Sequence, residues 1–220
     1  MATIAVENYL KHVLLLSEGG DDLVSMGELA AALAVVPGTA TTMVKALATE
    51  GLVSHRPRYG VRLTAEGRRV ALGVLRRHRI IETFLVEVLK MDWTEVHAEA
   101  ELLEHAISDT VLDRLDALLG HPATDPHGDP IPTRLGKLDS QVYATLATCG
   151  IDKPLRIVRV TEQSGEFLQF AEQHGLRPGA KARVTERNLA ASLLTLKMDR
   201  DRTVTLSLSA AGHILVAPVK

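Results

Sequence analysis

Cysteine is almost missing from this chain: of 220 residues, only Cys149 carries a thiol. That excludes a disulfide framework and any thiolate-rich zinc or iron–sulfur site, so packing must supply stability and a bound metal would have to use imidazole and carboxylate donors. Cys149 itself reads as an inert small residue. Aromatic residues make up only 3% of the chain, which argues against the stacked rings that hold single-stranded nucleic acid. No apolar run approaches the roughly 18 residues that a bilayer crossing needs, and Met1-Ala2-Thr3-Ile4-Ala5-Val6-Glu7 has no basic stretch leading into an apolar one. A cytoplasmic protein is expected. Long internal repeats and low-complexity segments are absent as well. What remains is a 46% hydrophobic chain, long enough for one large domain or two small ones, each with its own core.

The net charge of −2 hides an uneven distribution: residues 1–80 carry +3, residues 81–130 carry −10 and residues 131–220 carry +5. Basic ends can face a polyanion, whereas the acidic middle would repel one and suits cations.

Apolar spacing predicts an amphipathic helix over 4–18, with Val6, Tyr9, Leu10, Val13 and Leu16 inward and Gly19-Gly20 as its stop. Ser25-Met26-Gly27-Glu28 is a capping box that opens a second helix carrying Leu29, Ala32 and Leu33. Val36-Pro37-Gly38 breaks that helix, and a third is expected from about Thr39 to Glu50, ended by Gly51. Two short β-like runs, 52–55 and 60–63, flank the basic tip Arg56-Pro57-Arg58-Tyr59. Three helices and a basic hairpin make a winged helix-turn-helix, assigned to residues 1–72.

Thr64 caps a long helix reaching about Lys90. Asp92-Trp93-Thr94-Glu95 starts a helix over 94–107, and Ser108-Asp109 starts another that runs to Leu119 and closes at Gly120. Residues 121–132 hold four prolines, which neither a helix nor a central strand tolerates, so they form a rigid connector. Helical residues 73–138, with this connector, form the second domain. Beyond it, five short strands are expected at 155–160, 182–185, 192–196, 203–208 and 213–216, with a helix over 167–174; this is the pattern of a small all-β barrel over 139–220.

A helix entering the major groove needs short hydrogen-bonding side chains in its first turns, so that the backbone can approach base edges and phosphates. Thr39, Thr41, Thr42 and Lys45 meet that need, and the amides at the same helix start can bind phosphate directly. Arg56 and Arg58 on the wing are placed to hold phosphates or enter a minor groove. Double-stranded DNA is the expected partner.

On the long helix, His78 and Glu82 are four residues apart and share a face. In the next helix, His97, Glu101, Glu104 and His105 fall on one stripe of about 100°, beside the apolar stripe Val96, Ala100, Leu103 and Ile107. Three imidazoles and three carboxylates on two packed helices call for a divalent cation. Nitrogen and oxygen donors without thiolate suit Mn²⁺ or Fe²⁺, and Zn²⁺ or Co²⁺ would bind the same set. His12, His55, His121, His127, His174 and His213 read as structural or solvent-facing. Paired helices with His and Glu also build metal-dependent hydrolase or oxygenase centres, but the chain has neither a His-Glu-x-x-His pair nor a Gly-rich phosphate loop, so no enzyme is expected. A winged-helix regulator answering an organic effector is a further alternative.

Over nearly its whole length the chain resembles the diphtheria toxin repressor and manganese transport regulator family. The resemblance is most specific in Arg77-His78-Arg79-Ile80-Ile81-Glu82, in the stretch from Val96-His97-Ala98-Glu99 through Ala100-Glu101-Leu102-Leu103-Glu104-His105 to Asp109, and in Pro126-His127-Gly128-Asp129-Pro130-Ile131-Pro132. It implies a homodimer formed through the central helices, a C-terminal SH3-like domain over 139–220, and two adjacent metal sites, with His78, Glu82 and His97 matching one and Glu101, Glu104 and His105 the other. Iron-responsive members carry Cys at the position of Glu101 and Met at that of Asn8; manganese-responsive members carry an acid at the first and commonly Asp at the second. Glu101 is a hard donor, which favours Mn²⁺, and Asn8 could add only a carbonyl oxygen. Glu162, Glu166 and Gln169 are nearby candidates for a ligand lent by the SH3-like domain. The resemblance implies a metal-activated repressor of metal-uptake genes.

Overall fold

The structure, a computed structural model, describes residues 3–17, 22–139, 141–199 and 202–219. The expected helix stop at Gly19-Gly20 lies outside the described residues. The chain divides into two compact units, one of residues 1–78, 102–109 and 131–140, the other of 79–101, 110–130 and 141–220.

In the first unit, α1 (Ile4–Leu16) starts where Thr3 caps it by accepting a hydrogen bond from the Val6 amide, and it buries Leu10, Val13 and Leu14. α2 (Met26–Ala32) opens with the Ser25/Glu28 capping box, both bonds of which are made. α3 (Pro37–Thr49) begins two residues earlier than the sequence suggests. Pro37 does not merely break the preceding helix: its fixed φ and missing N–H suit the first position of the next one. β1 (Val53–Arg56) and β2 (Gly60–Leu63) pair as an antiparallel hairpin, the wing. Gly60 sits at φ +139°, where an added Cβ would lie 2.4 Å from the Val24 carbonyl oxygen. That close approach lets Val24 bridge to Val61 and ties the wing to the helices. Leu10, Leu29, Val44, Leu47, Val61 and Leu75 belong to one buried apolar cluster.

α4 (Ala65–Glu87) follows the wing directly, with the Thr64 hydroxyl accepting from the Gly67 amide. It contributes its residues up to His78 to the first unit and the rest to the second. α5 (Val96–Leu103) is shorter than the expected 94–107 at both ends. At its start, the Asp92 carboxylate accepts from the Thr94 amide and closes a turn ahead of the helix, which holds that carboxyl below its usual pKa. At its end, the Ala106 amide bonds back to Leu103 in a three-residue step, so Glu104 and His105 sit in a turn and not on the helix. α6 (Asp109–Leu118) matches its expected span closely.

The second unit also holds a six-stranded sheet in the order β3-β8-β4-β5-β6-β7. Its strands are β3 (Ala144–Thr145), β4 (Leu155–Val160), β5 (Lys181–Asn188), β6 (Leu193–Met198), β7 (Thr203–Ser207) and β8 (Ile214–Pro218). All five expected strands are present; the two-residue β3 and the short α8 (Leu208–Gly212) were not foreseen. Register shifts near Ile157 and Val184 are bulges that let the sheet curl. α7 (Gly165–His174) is capped by Ser164 and ends at left-handed Gly175. Leu168 and Ala171 of α7 pack with Ile157, Val184, Leu196 and Trp93 in one core. The architecture is a winged helix-turn-helix, a helical segment and an SH3-like all-β domain.

Candidate metal centre and nucleic-acid interface

The residues read from the sequence as DNA contacts are at the surface: Thr39, Thr42, Lys45, Arg56 and Arg58 are exposed and Thr41 is half-buried. No side-chain hydrogen bond caps the start of α3. The Thr41 and Thr42 hydroxyls donate back to the carbonyls of Pro37 and Gly38, at 2.8 and 3.0 Å. At the wing tip, Arg58 adopts φ +70°, and its neighbour Tyr59, not singled out in the sequence, is 75% exposed.

The acid and imidazole residues form one cluster in each unit. In the first, Glu104 is fully buried and receives three groups: Lys11 Nζ at 2.6 Å, His78 Nδ1 at 2.7 Å and His105 Nε2 at 3.2 Å. The two His105 ring nitrogens also meet Glu7 Oε2 at 2.6 Å and Asn8 Oδ1 at 2.8 Å. Arg77 ion-pairs with Glu7 and donates to the Glu104 carbonyl. α1 supplies Glu7, Asn8 and Lys11 from one face, at i, i+1 and i+4. Glu7 and Lys11 were missed by sequence reading; the available signal was a lysine set among Leu10, Val13 and Leu14 on the buried side of the helix.

In the second unit, Glu82 is buried with Oε1 3.2 Å from His97 Nδ1, and His97 Nε2 lies 3.7 Å from Glu101. His97 keeps a side chain 48% exposed. The connector adds groups that sequence reading passed over. Asp125 accepts from the backbone amides of His127 and Asp129, both at 2.9 Å, which folds residues 125–129 into a tight loop. His127, expected to be structural or solvent-facing, is fully buried beside Glu82. Burial, together with the charges of Asp129 and Glu82, pushes the Asp125 carboxyl well above its usual pKa. Arg79 faces Asp125 at 3.5 Å, and Arg159 and Gln163 hold Asp129.

Thus the structure brings Asn8, His78, Glu104 and His105 together in one unit and Glu82, His97 and Glu101 together in the other. Each group offers imidazole nitrogens and carboxylate or amide oxygens, a donor chemistry that fits Mn²⁺, Fe²⁺ or Zn²⁺. The first group already contains an ammonium ion, that of Lys11.

Three family models cover the chain in sequence: the N-terminal DNA binding domain of iron dependent repressors over residues 1–61, their metal binding and dimerisation domain over 64–133, and the FeoA domain over 144–218. The chain is 40% identical over 94 residues to the iron-dependent repressor IdeR of Mycobacterium leprae, a match spanning 43% of this chain and only 41% of that protein. It is 37% identical to an HTH-type transcriptional regulator of Methanocaldococcus jannaschii, covering 50% of this chain and 89% of the relative. A solved manganese-dependent transcriptional repressor in complex with manganese superposes with a TM-score of 0.89 at 38% identity, over 97% of this chain and 100% of that one.

Proposed function

This chain belongs to the diphtheria toxin repressor and manganese transport regulator family of metal-dependent transcriptional regulators, and from that premise we propose that it is a Mn²⁺-dependent repressor of metal-uptake genes that binds operator DNA as a homodimer in the cytoplasm. One observation carries the choice of metal: the cluster built on buried Glu82 combines His97 with the carboxylate of Glu101 and contains no sulfur. Hard oxygen donors favour Mn²⁺ over softer ions, although Zn²⁺ and Co²⁺ would occupy the same set and raw affinity does not select among them. Fe²⁺ is the second reading, favoured by the likeness to iron-dependent repressors.

The ligands assigned are Glu82, His97 and Glu101 with His78 one turn earlier on α4, and Glu104, His105 and Asn8 as a second set. A bound ion supplies positive charge that draws carboxylates on separate segments together. The chain's own part is mechanical. α4 begins at the end of the wing and carries both His78 and Glu82 along about 35 Å of continuous helix, so ordering its ligand-bearing turns restrains the segment that presents Arg56, Arg58 and α3. Self-association is supported by α6, which exposes Val111 and Leu118 seven residues apart on one face. A regulator fits the paired helix and wing better than a hydrolase or oxygenase does.

Coupling of this kind is typically about 1–3 kcal/mol, or 5–150-fold in affinity. The test is a fluorescence-anisotropy titration of a duplex, selected from a random pool by the Mn²⁺-loaded protein, with and without Mn²⁺. Affinity should rise within that range on adding the ion, and Glu101→Ala or His105→Ala should lose the response while remaining folded and dimeric. Unchanged DNA affinity with metal loading confirmed would contradict the reading.

A further inference from the structure

We propose that the outer face of strands β4, β5 and β6 is a further surface for duplex DNA, one that takes up backbone phosphates through Arg156, Lys181, Arg183 and Lys197. The inference goes beyond the proposed function: it rests on the chain binding duplex DNA and not on which ion activates it.

Strand register brings the four cations together. Lys181 and Arg183 are two residues apart on β5 and so point to one side of the sheet. Arg156 of β4 is the direct partner of Lys181, and Lys197 of β6 is the direct partner of Arg183. All four are exposed, while the alternate residues Leu155, Ala182, Val184 and Leu196 are buried in the core. The cations therefore stand on the solvent side, across three strands spaced about 4.8 Å apart. Lys181, Arg183 and Lys197 also line one surface hollow.

This arrangement works against the sheet that carries it, because like charges directly opposite each other on paired strands are destabilising. Elsewhere in the same unit arginines are answered by carboxylates: Arg79 by Asp125, Arg159 by Asp129 and Arg177 by Glu172. Among the described residues, no ion pair reaches Arg156, Lys181 or Arg183. Two acids border the patch, Asp199 in the hollow and Glu186 opposite Thr195 beyond the β5 bulge, so four cations face two carboxylates. A polyanion laid across the face offsets the repulsion, and its binding is driven by release of condensed counterions.

Four heads spread over three strands suit a row of charges better than one small anion. The neighbouring positions on the same face are hydroxyls: Thr203 is opposite Lys197, and Thr205 is opposite Thr195. Arginine, lysine and threonine side chains are the groups that hold phosphate oxygens of a duplex, whereas single strands call for aromatic rings on which bases stack. Contacts of this kind add affinity without reading sequence.

The experiment measures the affinity of the full Mn²⁺-loaded chain against salt concentration, on its selected duplex extended by about 20 base pairs, or two helical turns, on each side. In Arg156→Gln/Lys181→Gln/Arg183→Gln the log–log slope should become shallower by about three units, at about 0.9 per phosphate contact. Bound metal should stay the same, and the melting temperature should hold or rise because like-charge pairs are gone. If the triple variant does not fold, the native chain decides: amine-reactive labelling of Lys181 and Lys197 should fall several-fold when duplex is bound. Equal slopes in native chain and variant, or equal labelling with and without bound duplex, would overturn the inference. An unchanged slope with altered sedimentation would also overturn it, assigning the face to the acidic segment 81–130 of a second copy. Loss of the Mn²⁺ response in the native chain, with the slope difference intact, would support this surface and contradict the proposed function alone.

Discussion

The two acid clusters use the same residue types and differ in what balances their charge. Around Glu104 the chain provides its own cations: Lys11, one of the largest fully buried side chains, lies 2.6 Å away, and Arg77 pairs with Glu7. Nearly every polar atom there has a complementary neighbour before any ion arrives. Around Glu82 the connector supplies further carboxylates, and a histidine lone pair faces an oxygen. The lesson is that ligand count does not rank metal sites. An ion entering the first cluster competes with a resident ammonium group, whereas one entering the second relieves an existing conflict. The cluster around Glu82 should therefore load first.

The strongest way to break this contrast is Lys11→Met. Removing one partner of a buried pair leaves Glu104 uncompensated, so the metal-free protein should lose about 3–5 kcal/mol of stability by denaturant unfolding. Mn²⁺ should restore much of that loss in the variant, and stabilise the native chain less. Unfolding midpoints identical to wild type would show that Lys11 does not balance Glu104. Next in size, Glu82→Gln should weaken Mn²⁺ binding about 100-fold or more by calorimetry, since replacing even groups that merely support a ligand costs 10–100-fold; a change under about threefold would remove Glu82 from the centre.

Gly128→Ala probes the connector alone. The required left-handed φ and the Val158 carbonyl leave no room for a methyl group, so a penalty of about 1–3 kcal/mol is expected, with weaker Mn²⁺ binding and unaltered pairing of Lys11 with Glu104. Retention of full Mn²⁺ stoichiometry and affinity would separate the loop from the ion. The smallest effect belongs to the wing: Arg58→Ala should lower DNA affinity several-fold across sequences and flatten the salt dependence by about one unit, without touching metal content.

Local signals were legible where one turn of chain decides the outcome. Ser25 and Glu28 announce a capping box that is made as expected, and alternation in Leu155–Val160 marks β4 at its observed bounds. Glu82, His97 and Glu101 could be nominated from helical spacing because consecutive turns of α4 and α5 place them. Spacing nominated Glu104 and His105 as well, but α5 ends before them and partners distant in sequence position them: their side chains bond to Lys11, Glu7 and Asn8 on α1, about 95 residues away in sequence. Lys11 and His127 were illegible for a related reason. A lysine on an apolar face and a histidine among prolines acquire meaning only from tertiary partners, Glu104 in one case and Glu82 with the Trp93 carbonyl in the other.

The central claim is that ion and DNA act on one equilibrium, and linkage makes it testable from the metal side. Mn²⁺ affinity should be measured by calorimetry with the protein free and with it saturated by its selected duplex. The account predicts that DNA tightens Mn²⁺ binding by the same factor, about 5–150-fold, by which Mn²⁺ tightens DNA binding; equal Mn²⁺ affinities with and without duplex would contradict it.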